Sequence, residues 1–191
     1  MSKQTAPISF FLERIFRRME KRYDYSFDYM RHMWHVSRPA FRRFSYGFMW
    51  FARGRDSVPA DAAAVAGIVS TMKADCGPCT QISVNMALEQ KVPEHILRAT
   101  VAGDVDALPP ELALVYRFTK AVVNGDFHAT EMREEILGIY GDKGLIDLSS
   151  AIAAGQVFPV LKRTLGFGET CLKVKVGDAD VAAARPEIKA A

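Results

Sequence analysis

Cysteine is scarce in this chain, with three among 191 residues. That is too few for a disulfide scaffold, and an odd count fits a reducing compartment better than a secreted one. Long apolar runs are missing as well. No uninterrupted stretch approaches the roughly 18 residues of a bilayer span, so the chain is expected not to cross a membrane. The apolar start at 8–12 is cut short by Glu13 and Arg14, too soon for the core of a secretory signal. A cytoplasmic protein is the resulting expectation. Repeats and low-complexity tracts do not stand out. What remains is a globular composition, 49% hydrophobic and 10% aromatic, long enough to bury a core without staples.

The net charge of +3 hides an uneven distribution. Residues 1–55 hold 12 Lys or Arg against 4 Asp or Glu, and residues 56–191 hold 13 against 18. A basic segment ahead of a mildly acidic body points to an acidic partner, lipid head groups or the body itself.

The text is helical almost throughout. Ile8, Phe11, Leu12, Ile15, Met19, Tyr23, Phe27, Met30 and Trp34 recur every three or four residues, with arginines between them. The period predicts one amphipathic helix over 8–36, ended by Pro39. A shorter aromatic helix follows at 40–52, and 53–59 reads as a linker. Further helices are predicted over 62–72, from the cysteines to about Gln90 with Asp75 as N-cap, over 94–102, and from Pro110 to Asn124. A loop covers 103–108. Helices over 130–140 and 145–165 close the set, the last kinked or broken at Pro159. Residues 171–176 alternate like a strand, but no partner strand is evident, so the tail is expected to be extended or loosely ordered. The fold class is all-α, organised as 1–55, a basic helical extension; 56–170, a helical body; and 171–191, a tail.

The most informative motif is Asp75-Cys76-Gly77-Pro78-Cys79. Residues i and i+3 share a helix face, so two thiols can meet there, one to attack and one to resolve. A helix N-terminus stabilises a thiolate through its unpaired amides and dipole, whereas the Asp75 charge opposes one. Two other readings stay open. Zinc needs four ligands, and only Cys171 and scattered histidines could complete a set. Two ordinary core cysteines would also suffice, since free Cys is among the most buried residue types. Cys171, 92 positions after Cys79, reads as a structural thiol or a bystander. Cys-Gly-Pro-Cys also spells the thioredoxin motif, but that fold places it after a β-strand. The residues before it here, 62–72, are helix-like.

A helix, a Cys-x-x-Cys opening the next helix, and a helical remainder resemble the alkylhydroperoxidase AhpD-like and carboxymuconolactone decarboxylase superfamily. The resemblance covers roughly 59–166. It is strongest over 62–94 and returns at 140–148, Tyr-Gly-Asp-Lys-Gly-Leu-Ile-Asp-Leu. It implies an all-α homo-oligomer whose Cys76 and Cys79 cycle between dithiol and disulfide while reducing peroxides or serving as a redox partner. It also implies an external thiol or disulfide reductant and no bound cofactor or metal. In the family order Cys79 attacks and Cys76 resolves; a thioredoxin-like order would reverse them. The chain departs from the family's proton relay. Ser83 stands four residues after the second cysteine, where the family has His, and Ala64 stands twelve before the first, where it has Glu. Decarboxylase activity is not implied.

Replacement relay candidates are His95 and His128, with Asp147 to orient one of them. Gln81 and Asn85 could hydrogen-bond near the thiols. In the extension, His32 and His35 are two ligands at most, too few for a metal. The aromatic stripe reads as a packing surface, with an acidic membrane surface as the sharper alternative. Nucleic acid is not expected, because no groove-reading motif accompanies the charge. The competing class is a non-enzymatic helical interaction protein on the same scaffold.

Overall fold

Proline and glycine punctuate the body of the chain. The computed structural model describes residues 8–52, 56–168 and 173–184. Pro59 precedes α4 (Ala60–Lys73), Pro93 precedes α6 (Glu94–Ala102), and Pro110 sits in the first turn of α7 (Pro110–Asn124). Gly103 and Gly125 take positive φ, 74° and 66°, to end α6 and α7. Between α4 and α6 lies α5 (Gly77–Glu89), which carries the cysteine motif, and α8 (Ala129–Thr164) follows α7. Among the described residues all eight α-helices and one small hairpin make an all-α fold.

α4 is the hub, packed against α5, α6, α7 and α8. Its Val65, Ala66, Ile68 and Val69 are buried with Leu97, Val101, Val115 and Leu148. The two predicted helices at 130–140 and 145–165 join as α8, with one break at Gly141 (φ 67°, ψ −178°). The helix continues through Pro159, which is buried, to Thr164. α8 is also long and apolar enough to cross a membrane. Small and polar residues interrupt its apolar run, and Leu148, Ala151, Ile152 and Gly155 are buried where it packs on α4 and α7.

The basic extension differs from its predicted form. One continuous helix over 8–36 is replaced by α1 (Phe10–Tyr23) and α2 (Asp28–Val36). Asp24 adopts the left-handed conformation (φ 49°), which short polar side chains tolerate. The turn after it is fixed by the Phe27 amide donating to Glu20 at 3.0 Å and the Asp28 amide to Ser26 at 3.1 Å. Pro39 starts a helix rather than ending one. Ser37 caps α3 (Arg38–Phe51), and Pro39 occupies its first turn.

The tail also departs from expectation. β1 (Lys173–Val176) pairs antiparallel with β2 (Ala179–Ala182). Gly177, at the first central position of the turn, has φ 61°. The missing partner strand was hidden because 179–182 carries only one β-branched residue, Val181. Val174 and Val176 are buried in the main core. Gln81 bridges the hairpin to α5, accepting from the Lys175 amide at 2.7 Å and donating to its carbonyl at 2.9 Å. A short 3-10 turn, Val105–Ala107, occupies the predicted loop at 103–108. Cys171 and the linker residues 53–55 lie outside the described residues.

Arg31 clamps α1 to α2, donating to Glu20 at 2.5 Å, Glu13 at 3.1 Å and Asp28 at 3.1 Å. These bonds hold the Glu13 and Glu20 carboxyls below their ordinary 4.5. A depressed folded-state pKa gives stability that is present above the unfolded value and lost as pH falls through the folded one. Acidification below the ordinary carboxylate range is therefore expected to loosen α1 and α2 before the body melts. Both tryptophans, Trp34 and Trp50, lie in the extension, so their emission should shift at a higher pH than the helical circular dichroism. Coincident transitions would contradict the clamp.

Candidate functional site

The α4–α5 junction sets the geometry of the cysteines. After Lys73 the chain reverses through Asp75, which takes φ 51°. Cys76 (φ −119°, ψ 93°) is then the N-cap of α5, with Gly77 and Pro78 in the first turn. The predicted cap, Asp75, lies one residue too early, because its left-handed backbone makes the turn rather than the cap. Cys76 accepts the first helical bond, from the Thr80 amide at 2.9 Å, and the Thr80 hydroxyl adds a second at 3.0 Å. The Arg163 guanidinium, on α8, donates to the Ala74 carbonyl and ties the junction down.

Cys76 and Cys79 are disulfide-bonded, with Cα atoms 5.3 Å apart. The pair therefore sits where helix amides and dipole favour a thiolate once the bond is reduced. It is also covered, with Cys76 3% exposed and Cys79 2%. The cover is a second hydrophobic cluster supplied by the extension: Phe16, Tyr23, Tyr25, Tyr29, Met30 and Phe41. Phe158 of α8 anchors it, its ring 4.4 Å from Phe48, 5.5 Å from Phe44 and 6.1 Å from Tyr29. Glu89 of α5 pins the end of α1, accepting from Arg22 at 2.7 Å and Tyr23 at 2.9 Å.

Three polar groups reach into this cluster. The Tyr25 hydroxyl lies 4.0 Å from Cys79 Sγ and 3.4 Å from the Tyr29 hydroxyl. Burial pushes the Tyr25 phenol up to about 12, and raises Tyr29 as well, with Tyr25 beside it adding to the rise. Both stay protonated at neutral pH and act as donors rather than bases. Lys162, only 3% exposed, places Nζ 4.6 Å from the Tyr25 ring centre and 5.6 Å from that of Tyr29.

The candidate relay residues stand elsewhere. His95 is exposed in the first turn of α6. His128 is exposed before α8, its Nδ1 3.5 Å from Glu131. Asp147 is buried and accepts from the Ser57 amide at 2.8 Å, so its bond closes the start of the body onto α8. Ser83 donates to the Cys79 carbonyl at 2.9 Å, spending its hydroxyl on its own helix. Asn85 accepts from Gln81 at 2.9 Å and donates to the Tyr23 carbonyl at 3.3 Å. His32 and His35 are exposed. No group of three metal-ligating side chains occurs among the described residues.

Sequence reasoning placed the cysteines together and missed Tyr25, Tyr29 and Lys162. Tyr25 and Tyr29 are four apart, but Tyr25 falls off the stripe that a single helix over 8–36 would present and Tyr29 sits only at its edge, in line with Phe11. Lys162 reads as an ordinary basic residue in a last turn. No family model, no curated protein and no solved structure matches the chain.

Proposed function

We propose that the chain is a thiol oxidoreductase of the AhpD-like type, reducing peroxides or disulfides through Cys76 and Cys79. The observation that carries this reading is the disulfide itself, closed within the first turn of α5 with Cys76 as N-cap. In the reduced protein, the Cys79 thiolate attacks one oxygen of a hydroperoxide. The O–O bond breaks, the alkoxide takes a proton and leaves as alcohol, and Cys79 becomes a sulfenic acid. The Cys76 thiol then attacks that sulfur, expelling water and forming the disulfide. An external dithiol returns two electrons by exchange.

Tyr25 takes the place left by the family's missing His and Glu. Hydroxyl protons rotate to suit their acceptors. With a thiolate present, Tyr29 donates to Tyr25 and Tyr25 donates to Cys79, while Lys162 Nζ packs over both rings. Tyr25 also stands near enough to Cys79 to supply a hydrogen bond to the leaving oxygen. A homo-oligomer in a reducing, cytoplasmic compartment, without resident cofactor, belongs to the same reading.

The burial of both sulfurs favours one alternative, a non-enzymatic interaction protein in which the covered pair only fastens the scaffold. Thiol counting separates the two. Reduced wild type treated with a stoichiometric hydroperoxide is expected to lose two thiols quickly, and Cys79→Ser to form no intramolecular disulfide. An unchanged thiol count in wild type would favour the interaction protein.

A further inference from the structure

The inward faces of α1 and α3 cover the disulfide, while their outward faces carry a different chemistry. At about 100° per residue, Arg42, Arg43, Tyr46, Met49 and Trp50 fall within roughly 120° of one another on α3. Phe41, Phe44 and Phe48 occupy the opposite side, Phe41 and Phe44 within the buried cluster and Phe48 against Phe158. All five outward residues are exposed, Trp50 by 74% and Tyr46 by 64%. α1 repeats the pattern, with exposed Phe10 and Phe11 beside Arg14, Arg18 and Lys21.

The acidic residues of the extension do not offset this charge. Glu13, Glu20 and Asp28 are all engaged by Arg31, and Glu13 also by Arg17, which leaves exposed Asp24 as the one other carboxylate of the extension against Arg14, Arg18, Lys21, Arg42 and Arg43. Among the described residues no ion pair involves Arg14, Arg18, Lys21, Arg42 or Arg43. Exposed indole and thioether groups beside unneutralised guanidinium groups match the interface of an anionic bilayer. Apolar side chains enter the head-group boundary there while cations remain at the phosphates. A second copy of the same face would bring like charges together, which disfavours a twofold contact.

We infer that the outward face of α3, with that of α1, docks the protein on anionic lipid head groups. The inference rests on the surface alone and is independent of the thiol chemistry. The test is co-sedimentation of the full chain with phosphatidylcholine vesicles, with or without about a third phosphatidylserine. Wild type is expected to pellet with the anionic vesicles and to be released by high salt. Each arginine near such a surface is worth about fivefold in partitioning, so Arg42→Gln with Arg43→Gln should weaken binding roughly thirtyfold. A Trp34→Phe variant leaves Trp50 as the sole tryptophan, and its emission should shift to the blue on anionic vesicles. No pelleting, equal pelleting with neutral vesicles, or an unmoved Trp50 emission would overturn the inference. So would a concentration-dependent dimer that Trp50→Ala dissolves, which would give the face to a second copy.

Discussion

Phe158→Ala is expected to speed reduction of the Cys76–Cys79 disulfide by a small dithiol about 30- to 150-fold. Access to the sulfurs requires the extension to lift, because the rings of α1 to α3 leave both almost without exposed surface. One α8 side chain meets rings from both α2 and α3, namely Phe158 against Tyr29, Phe44 and Phe48. Removing a fully buried Phe costs about 3–5 kcal/mol, and this half-buried ring warrants about 2–3 kcal/mol. That loss falls on the opening of the cover rather than on the body, whose core is a separate cluster. Opening therefore becomes commoner while α4 to α7 stay folded. The measurement is disulfide reduction timed by quenching with an alkylating reagent, alongside helical circular dichroism. An unchanged rate with an intact body would mean that reductant reaches the sulfurs by another path.

The body of the fold was legible because its signals are local. Pro59, Pro93 and Pro110 mark helix starts, Gly103 and Gly125 mark helix ends, and apolar residues between them recur with the helical period. The cysteine pair was legible for the same reason, since spacing alone brings i and i+3 together. The extension misled because the turn at Asp24 to Phe27 barely disturbs that recurrence, and a broken helix then reads as a whole one. The hairpin was half legible. β1 alternates Val with Lys, whereas β2 has Ala at two of four positions. The surroundings of the sulfurs were not legible at all. Tyr25 reaches Cys79 across 54 residues and Lys162 reaches Tyr25 across 137, and only tertiary packing joins them. The histidines drew attention by their chemistry, yet His95 and His128 sit on exposed helix starts.

Gly155→Leu is expected to lower the unfolding free energy by about 3–5 kcal/mol, a large share of the roughly 5–15 kcal/mol typical of a domain. α4 and α8 approach closely at this residue. A Cβ there would lie 2.7 Å from Ser70 Cβ, 2.8 Å from its Oγ and 3.0 Å from the Gly67 carbonyl. The same contact is stitched by buried hydrogen bonds. Ser70 donates to the Ile152 carbonyl at 2.6 Å, and Gln156 donates to the Ser70 carbonyl at 2.5 Å and its hydroxyl at 3.0 Å. A leucine would push the helices apart, add about 1–3 kcal/mol of overpacking, and leave these polar groups without partners at a further 1–3 kcal/mol. Ser70→Ala should cost less, about 1–2 kcal/mol, because it removes the hydroxyl without forcing separation. Urea unfolding of the three proteins measures the difference. The consequence reaches the cysteines, since α4 delivers the chain to Ala74, and Arg163, two turns beyond Gly155 on α8, holds that carbonyl. Gly155→Leu should therefore loosen the α5 N-terminus as well, whereas Ser70→Ala leaves it in place. Equal stability of Gly155→Leu and wild type would contradict the close approach of α4 to α8.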